Sequence, residues 1–118
     1  MTREEFAKAY AEFAKIALAF AEKARREGLL ALEDSLDGEK VGSRDIFYYG
    51  LRFVVDGVAP EIIDKILSNI IEQGKDDYSR RFKTIQKEAV LDMQDGYNPE
   101  ILRRLLNSYT DIPIKDEI

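Results

Sequence analysis

The amino-acid sequence predicts an all-α domain, and three observations carry that prediction. Apolar residues recur at three- and four-residue intervals in several segments, which is the period of an amphipathic helix. Glycine and proline residues fall between those segments, where they end one helix or begin the next. At 118 residues the chain is long enough for one domain with a modest core. We therefore predict a single domain over residues 1–118, built on a long N-terminal helix, with about five helices in all.

The first helix is predicted from about residue 3 to about residue 35, so that residues 1–35 form one long element. Thr2 and Glu5 have the spacing of a capping box, in which each side chain accepts a hydrogen bond from the other residue's backbone N–H. Aromatic residues follow at intervals of seven on one face: Phe6, Phe13 and Phe20. Gly28 falls inside this segment and is expected to be tolerated within the helix, at a cost of about 1 kcal/mol relative to alanine.

Two helical pairs are predicted next, at residues 44–73 and 75–110, after a polar loop over residues 36–43. In the first pair, residues 46–55 are rich in β-branched and aromatic side chains, so a strand is the local alternative. Their apolar residues do not alternate, and this favours a helix that ends at Asp56. A proline at position 60 then begins the second helix of the pair.

The second pair has clear signals at its turn and at its end. Gly96 follows the apolar pattern of residues 82–95 and is predicted to be the left-handed residue that closes that helix. Asn98 and Pro99 are typical of an N-cap and a first helical position. The last helix is therefore predicted over residues 99–109, and residues 111–118 are predicted to be a frayed tail.

The residue types on which most catalytic and metal sites depend are missing from the composition. There is no cysteine and no histidine, which removes the thiolate nucleophile, the commonest general base and the commonest metal ligand. We expect no enzyme activity, no cofactor and no metal site. The net charge of −5 argues against electrostatic binding to nucleic acid. No apolar run approaches the about 20 residues that span a bilayer, and no signal segment begins the chain, so we expect a cytoplasmic location.

The most heavily charged segment is residues 22–33. On a continuous helix Arg25 and Glu33 lie about 12 Å apart along the axis and about 80° apart around it. They would then present opposite charges on one broad face, with Glu22 one turn before Arg25 and Arg26 in the favourable order for side-chain ion pairs. An ordinary solvated helix explains the same pattern, and the spacing alone does not distinguish the two interpretations.

Three segments of the sequence, taken together and in the order in which they occur, resemble those of a known protein family. The first is AEKARREGLLALE at residues 21–33; the second contains Gly50-Leu51, the sequence VVDG at residues 54–57 and PEI at residues 60–62. The third, residues 85–99, has an amphipathic pattern followed by glycine, one residue, asparagine and proline. They resemble the MotA family, the channel-forming stator subunits of the bacterial flagellar motor. The resemblance covers roughly residues 14–110.

The resemblance implies an all-α cytoplasmic domain that generates torque at the inner face of the membrane, beside the flagellar motor. It implies that Arg25 and Glu33 meet oppositely charged residues of the rotor protein FliG, with Arg26 and Glu22 as helpers. The membrane-spanning helices of the family have no counterpart in this chain, so ion conduction is not implied. Because family members assemble through those helices, we expect only weak self-association, as a monomer or a weak dimer.

Two origins fit the pattern: a natural soluble paralogue, or a fusion of two cytoplasmic pieces of a membrane protein. A generic soluble helical adaptor or regulator, unrelated to motility, stays open as the alternative function. Binding to FliG separates the two functions, because only the first requires it.

Overall fold

The computed structural model describes residues 1–37 and 45–111, and within them the chain has α-helices and one 3-10 turn but no strand. The helices are α1 (Arg3–Glu27), α2 (Leu32–Asp37), α3 (Ile46–Val55), α4 (Pro60–Glu72), α5 (Asp77–Gln94) and α6 (Pro99–Asn107). The 3-10 turn, Leu29–Ala31, joins α1 to α2. The predicted all-α fold is confirmed. The predicted loop and tail lie mostly outside the described residues, although Leu36 and Asp37, assigned to that loop, belong to α2.

The start of α1 is the predicted capping box. The Glu5 backbone N–H donates to Thr2 Oγ1 at 3.1 Å, and the Thr2 N–H donates to Glu5 Oε1 at 2.9 Å. From there α1 buries the face that carries Phe6, Tyr10 and Phe13. The Tyr10 hydroxyl, deep in this face, donates to the Asn107 side chain at 2.9 Å and so ties α1 to α6.

The prediction of one helix from residue 3 to residue 35 is wrong, because the chain changes direction at Gly28. Gly28 has φ 91° and ψ 160°, a conformation that is essentially restricted to glycine. A straight helix of that predicted length would be about 50 Å long, whereas the longest dimension of the molecule is 35 Å. The turn brings Leu32 and Leu36 into the core, where both are fully buried. Burying each leucine contributes about 1.5–3 kcal/mol, and together the two compensate for the helical hydrogen bonds, worth about 0.5–1.5 kcal/mol each, that the break removes.

Helix α5 lies at the centre of the fold and contacts α1, α3, α4 and α6. Its buried face consists of Ile85, Ala89, Val90 and Met93. Helix α3 approaches α5 closely at Gly50. A Cβ atom at that position would lie 2.9 Å from Val90 Cγ2 and 3.0 Å from Leu67 Cδ1. The absence of a side chain at Gly50 therefore sets how closely α3 packs on α4 and α5.

Aromatic rings join α1 to α3. The Phe47 ring packs edge-on against Phe13, with ring centroids 4.9 Å apart, and against Phe20 at 5.6 Å. The helical prediction for residues 46–55 is confirmed, because Phe47, Leu51 and Val54 fall on one buried face at helical spacing.

Helices α3 and α5 end in the same way, in a Schellman motif. At the end of α5 the Gly96 N–H donates to the Met93 carbonyl at 3.1 Å, and the Tyr97 N–H donates to the Asp92 carbonyl at 3.2 Å. Gly96 has φ 85°, as predicted for a closing glycine. Immediately afterwards, the Asn98 side chain accepts from the Ile101 N–H at 2.9 Å and caps α6. The direction of the α5–α6 turn is thus fixed by local hydrogen bonds.

Other polar contacts also join elements that are distant in sequence. Lys87 Nζ, on α5, lies 2.8 Å from Asp64 Oδ1 on α4, and this hydrogen bond lowers the pKa of the Asp64 carboxyl. Arg3 pairs with Asp111 at 3.1 Å and joins the start of α1 to the residues beyond α6. The carboxyl of Asp92 is different: within the described residues its Oδ2 atom is buried and has no hydrogen-bond partner.

The close approach at Gly50 predicts whether a substitution there stabilises or destabilises the fold. In an exposed helix, replacing glycine by alanine stabilises by about 1 kcal/mol. Here we expect Gly50→Ala to lower the free energy of unfolding by about 1–3 kcal/mol, because the added methyl group would overlap Val90. Urea denaturation followed by circular dichroism measures the change. A stabilising effect would show that α3 has room for a side chain there.

Asp92 predicts a pH dependence of stability. Burial first, and then the charges of Glu88 and Asp95, raise the pKa of Asp92 to about 6. Because this lies above the unfolded value of about 3.9, the folded state holds the proton more tightly, and the ionised carboxyl destabilises the fold. That destabilisation is absent below about pH 4, grows between about pH 4 and 6, and reaches its full value above about pH 6.

We therefore expect Asp92→Asn to raise the free energy of unfolding at pH 7 by about 1 kcal/mol, a value reduced for the half-exposed position of the group. The difference from the parent should vanish at about pH 4. Urea denaturation at several pH values measures it, with the exposed Asp56→Asn as the matched control. An equal gain in the control, or a gain that does not depend on pH, would contradict the assignment.

Candidate partner-binding surface

The four charged residues predicted to bind a partner are exposed, but they lie on two helices instead of one. Glu22, Arg25 and Arg26 are in the last two turns of α1, whereas Glu33 is in the first turn of α2. Gly28 interrupts the helix between them. The predicted separation of about 12 Å and 80° assumed an unbroken helix, and that geometry is wrong for Arg25 and Glu33.

Two of the four residues pair with each other. Arg26 Nε lies 3.6 Å from Glu22 Oε1, one helical turn away, in the predicted order. Exposed pairs of this kind contribute about 0–1 kcal/mol, so this one orients two side chains more than it stabilises the fold. Across residues 1–37 and 45–111, the side chains of Arg25 and Glu33 make neither a hydrogen bond nor an ion pair. Both remain able to contact a partner.

Arg25 borders two depressions where the end of α1 meets the α5–α6 turn. The first is a cleft of about 240 Å³, and apart from Arg25 its lining is mostly apolar: Ala21, Ala24, Leu29, Met93, Gly96 and Tyr97. The second depression is lined by Glu22, Arg25 and the first residues of α6, Asn98 to Glu100. The arginine therefore lies between an apolar cleft and a polar helix start.

Glu33 is held in place by the packing of α2. Leu32 and Leu36 bury the inner side of this short helix, and Lys23 Nζ on α1 lies 2.9 Å from Ser35 Oγ. Leu30, in the 3-10 turn between Arg25 and Glu33, is 70% exposed. We call Glu22, Arg25, Arg26, Leu30 and Glu33 the charged surface.

The sequence analysis missed two residues of this region, Leu30 and Tyr97. Both are large apolar side chains with substantial exposure, and exposed apolar residues beside charges are typical of binding surfaces. The interpretation of residues 22–33 considered only the charged side chains of that segment as contacts for a partner. Tyr97 follows the closing glycine of α5, and no local pattern connected it to Arg25.

The arrangement is suited to reversible binding. The exposed charges and the open cleft offer contacts to another macromolecule, and within the described part of the chain no group of three or more acidic side chains is arranged to hold a metal ion. No helix among the described residues is both long enough and apolar enough to span a membrane.

Comparison with known proteins gives one informative similarity. The chain is 41% identical over 78 residues to Motility protein A of Borreliella burgdorferi. The aligned region is 64% of this chain but 29% of that protein, so the chain spans less than a third of its relative's length. No protein-family model matches the chain, and no solved structure matches it. The similarity supports a relationship between this helical chain and the motility protein MotA.

Proposed function

We propose that the chain is a protein–protein interaction module of the flagellar motor type, which contacts the rotor protein FliG through Arg25 and Glu33. The similarity to Motility protein A supports the connection to motility. The observation that carries the proposal is that Arg25 and Glu33 are exposed and make no ion pair with any described residue, although each is held on a packed helix.

The bend at Gly28 changes how such a contact would be made. A rotor helix would meet Arg25 on the last turn of α1 and Glu33 on the first turn of α2, with the exposed Leu30 between them in sequence. Two rigid helix ends joined by a short turn fix the separation of the two charges better than a flexible loop would. Glu22 and Arg26, already paired with each other, would act as helpers at the edge of the contact.

The energetics of this contact suit a motor. Exposed charge pairs contribute about 0–1 kcal/mol each, so binding would be weak and release fast, as repeated stepping along a rotor requires. The contact would also weaken with salt, because exposed charges are screened beyond about 10 Å at 0.1 M. In this proposal the chain acts in the cytoplasm, beside the motor at the inner face of the membrane, generates torque by contact, and catalyses no reaction.

The alternative is a helical adaptor or regulator that is unrelated to motility. Its support is the limited extent of the similarity, 29% of the relative's length, together with the absence of any matching family model. An adaptor of this kind would have no affinity for FliG, so a single binding experiment separates the two functions.

The experiment is a titration of the chain with the C-terminal domain of FliG at low salt. We expect Arg25→Glu and Glu33→Lys each to weaken binding about 3- to 10-fold, because each reversal replaces an attraction by a repulsion. Lys15→Glu and Glu72→Lys are matched controls, since they make the same charge changes at exposed positions on other parts of the surface. Circular dichroism should be unchanged in all four variants.

Compensating reversals on the rotor helix should restore binding in matched pairs. If both single reversals bind as the parent does, or if the controls weaken binding equally, only net charge matters and the proposed contact is wrong. Absence of any binding by the parent would favour the adaptor.

A further inference from the structure

An exposed stripe runs along the middle of α1. Glu12, Ile16, Ala19 and Lys23 follow one another at spacings of four, three and four residues, which are the spacings of the contact positions in a coiled coil. Glu12 and Ala19 are exposed, Ile16 is 39% exposed and Lys23 is half-buried. We call these four residues the α1 stripe. Its two ends carry opposite charges, and its middle is apolar.

The α1 stripe borders a hollow between α1 and α3. The volume of this hollow is about 350 Å³. Its lining consists of Ile16, Ala19, Phe20, Lys23, Ser35 and Tyr48. The Tyr48 ring forms the wall opposite the stripe and packs edge-on against Phe20, with ring centroids 5.9 Å apart. Because Ala19 has only a methyl group, the hollow is open to an apolar side chain of another molecule.

The charges at the two ends of the stripe are available to a partner. Within residues 1–37 and 45–111 the Glu12 side chain makes neither a hydrogen bond nor an ion pair. Lys23 Nζ donates to Ser35 Oγ at 2.9 Å, which uses one of its three donors, and it forms no ion pair with a described carboxylate. This hydrogen bond holds the ammonium group at the rim of the hollow.

The stripe is complementary to itself when the direction of the helix is reversed. A second α1 that runs antiparallel, with a two-fold axis midway between Ile16 and Ala19, sets Glu12 opposite Lys23 and Ile16 opposite Ala19. Each opposed pair then joins a negative to a positive charge, or a large to a small side chain. A parallel arrangement would instead set Glu12 against Glu12 and Lys23 against Lys23, which is repulsive.

We propose that the α1 stripe binds the α1 stripe of a second copy of this chain, in a two-fold antiparallel contact. Ile16 of each copy would enter the hollow of the other, over Ala19 and beside Tyr48. Glu12 of each copy would pair with Lys23 of the other. The second copy is the occupant because the chain itself has the complementary charges and side-chain sizes at matching positions.

The proposed contact is small. From Glu12 to Lys23 the stripe is about 17 Å long at helical rise, and small interfaces are typical of weak or transient association. The proposal therefore gives a definite surface to the weak self-association that the sequence analysis predicts. It uses an element that the chain has and does not require membrane-spanning helices.

This inference does not depend on the rotor contact. The α1 stripe and the charged surface share no residue, because the stripe lies along the middle of α1 and the charged surface begins at Glu22. The test uses the chain alone, so its outcome is the same whether or not FliG binds.

Sedimentation equilibrium of the full chain at low salt, from about 0.01 to 1 mM, tests for the contact. We expect the average molecular mass to rise with concentration toward that of a dimer and to stop there, because a two-fold contact is closed. A chain that stays monomeric up to about 1 mM, or that grows beyond a dimer, would overturn the proposal.

Charge reversals locate the contact. Glu12→Lys and Lys23→Glu should each weaken dimerisation about tenfold, because each replaces two symmetry-related attractions by repulsions. The chain with both reversals should dimerise as the parent does, since the opposed charges again differ in sign. The two reversals change the net charge of −5 by two units in opposite directions, so an effect of net charge alone would strengthen one dimer and weaken the other. That result, or no recovery in the doubly reversed chain, would contradict the contact.

Ile16→Ala tests the apolar part of the contact. It should weaken dimerisation about tenfold by leaving both hollows unfilled, and alanine preserves the helix. Ile62→Ala is its matched control, because Ile62 lies on α4 and is 50% exposed. Glu61→Lys and Lys65→Glu, at exposed positions of the same helix, are the controls for the charge reversals. Controls that weaken dimerisation as much as the stripe variants do would overturn the proposal.

Circular dichroism establishes that each variant is folded. Lys23→Glu removes the hydrogen bond to Ser35, so Lys23→Gln, which keeps a donor, replaces it if it does not fold. This neutral variant should weaken dimerisation about threefold, because it removes an attraction without adding a repulsion. Unchanged dimerisation in Lys23→Gln and in Glu12→Lys would show that the stripe is not the contact.

Discussion

The structure depends on the packing of α5 against four other helices. Its small residues set the distances: Ala89 is completely buried, and Val90 lies against Gly50, where α3 approaches without a side chain of its own. Interiors are packed as densely as organic crystals, so an added methyl group at such a contact forces neighbouring helices apart. The charged surface depends on this packing, because α5 positions the start of α6 at Tyr97, and Tyr97 lines the cleft beside Arg25.

Sequence reasoning predicted the features that local chemistry determines. The capping box at Thr2, the N-cap at Asn98 and the closing glycine at position 96 each depend on hydrogen bonds within a few residues, so the sequence pattern is sufficient to recognise them. For residues 46–55, the helical spacing of the apolar side chains correctly predicted a helix, although their β-branched composition favoured a strand. In each of these cases no distant part of the chain competes with the local preference.

The prediction failed where a distant contact outweighs a local preference. Residues 22–33 have a helical pattern throughout, and a glycine inside a helix costs only about 1 kcal/mol, so nothing local requires a break at Gly28. The break follows from the burial of Leu32 and Leu36 against helices that come later in the chain. The candidate residues Arg25 and Glu33 were identified by type and by their resemblance to a known pattern. Their relative placement, and the presence of Leu30 and Tyr97 near them, depend on that turn. Local sequence patterns could therefore not predict them.

The distribution of charge explains why the proposed function rests on features of the surface. Charged residues make up 35% of the sequence, and among the described residues none is buried in the core. Most charges on such a surface are simply solvated, so an exposed charge alone indicates little. What distinguishes the charged surface is the combination of charge with an exposed apolar side chain, since Leu30 lies between Arg25 and Glu33 in the sequence and is 70% exposed. Opposite charges in open solvent suit brief contact, because each exposed pair contributes only about 0–1 kcal/mol.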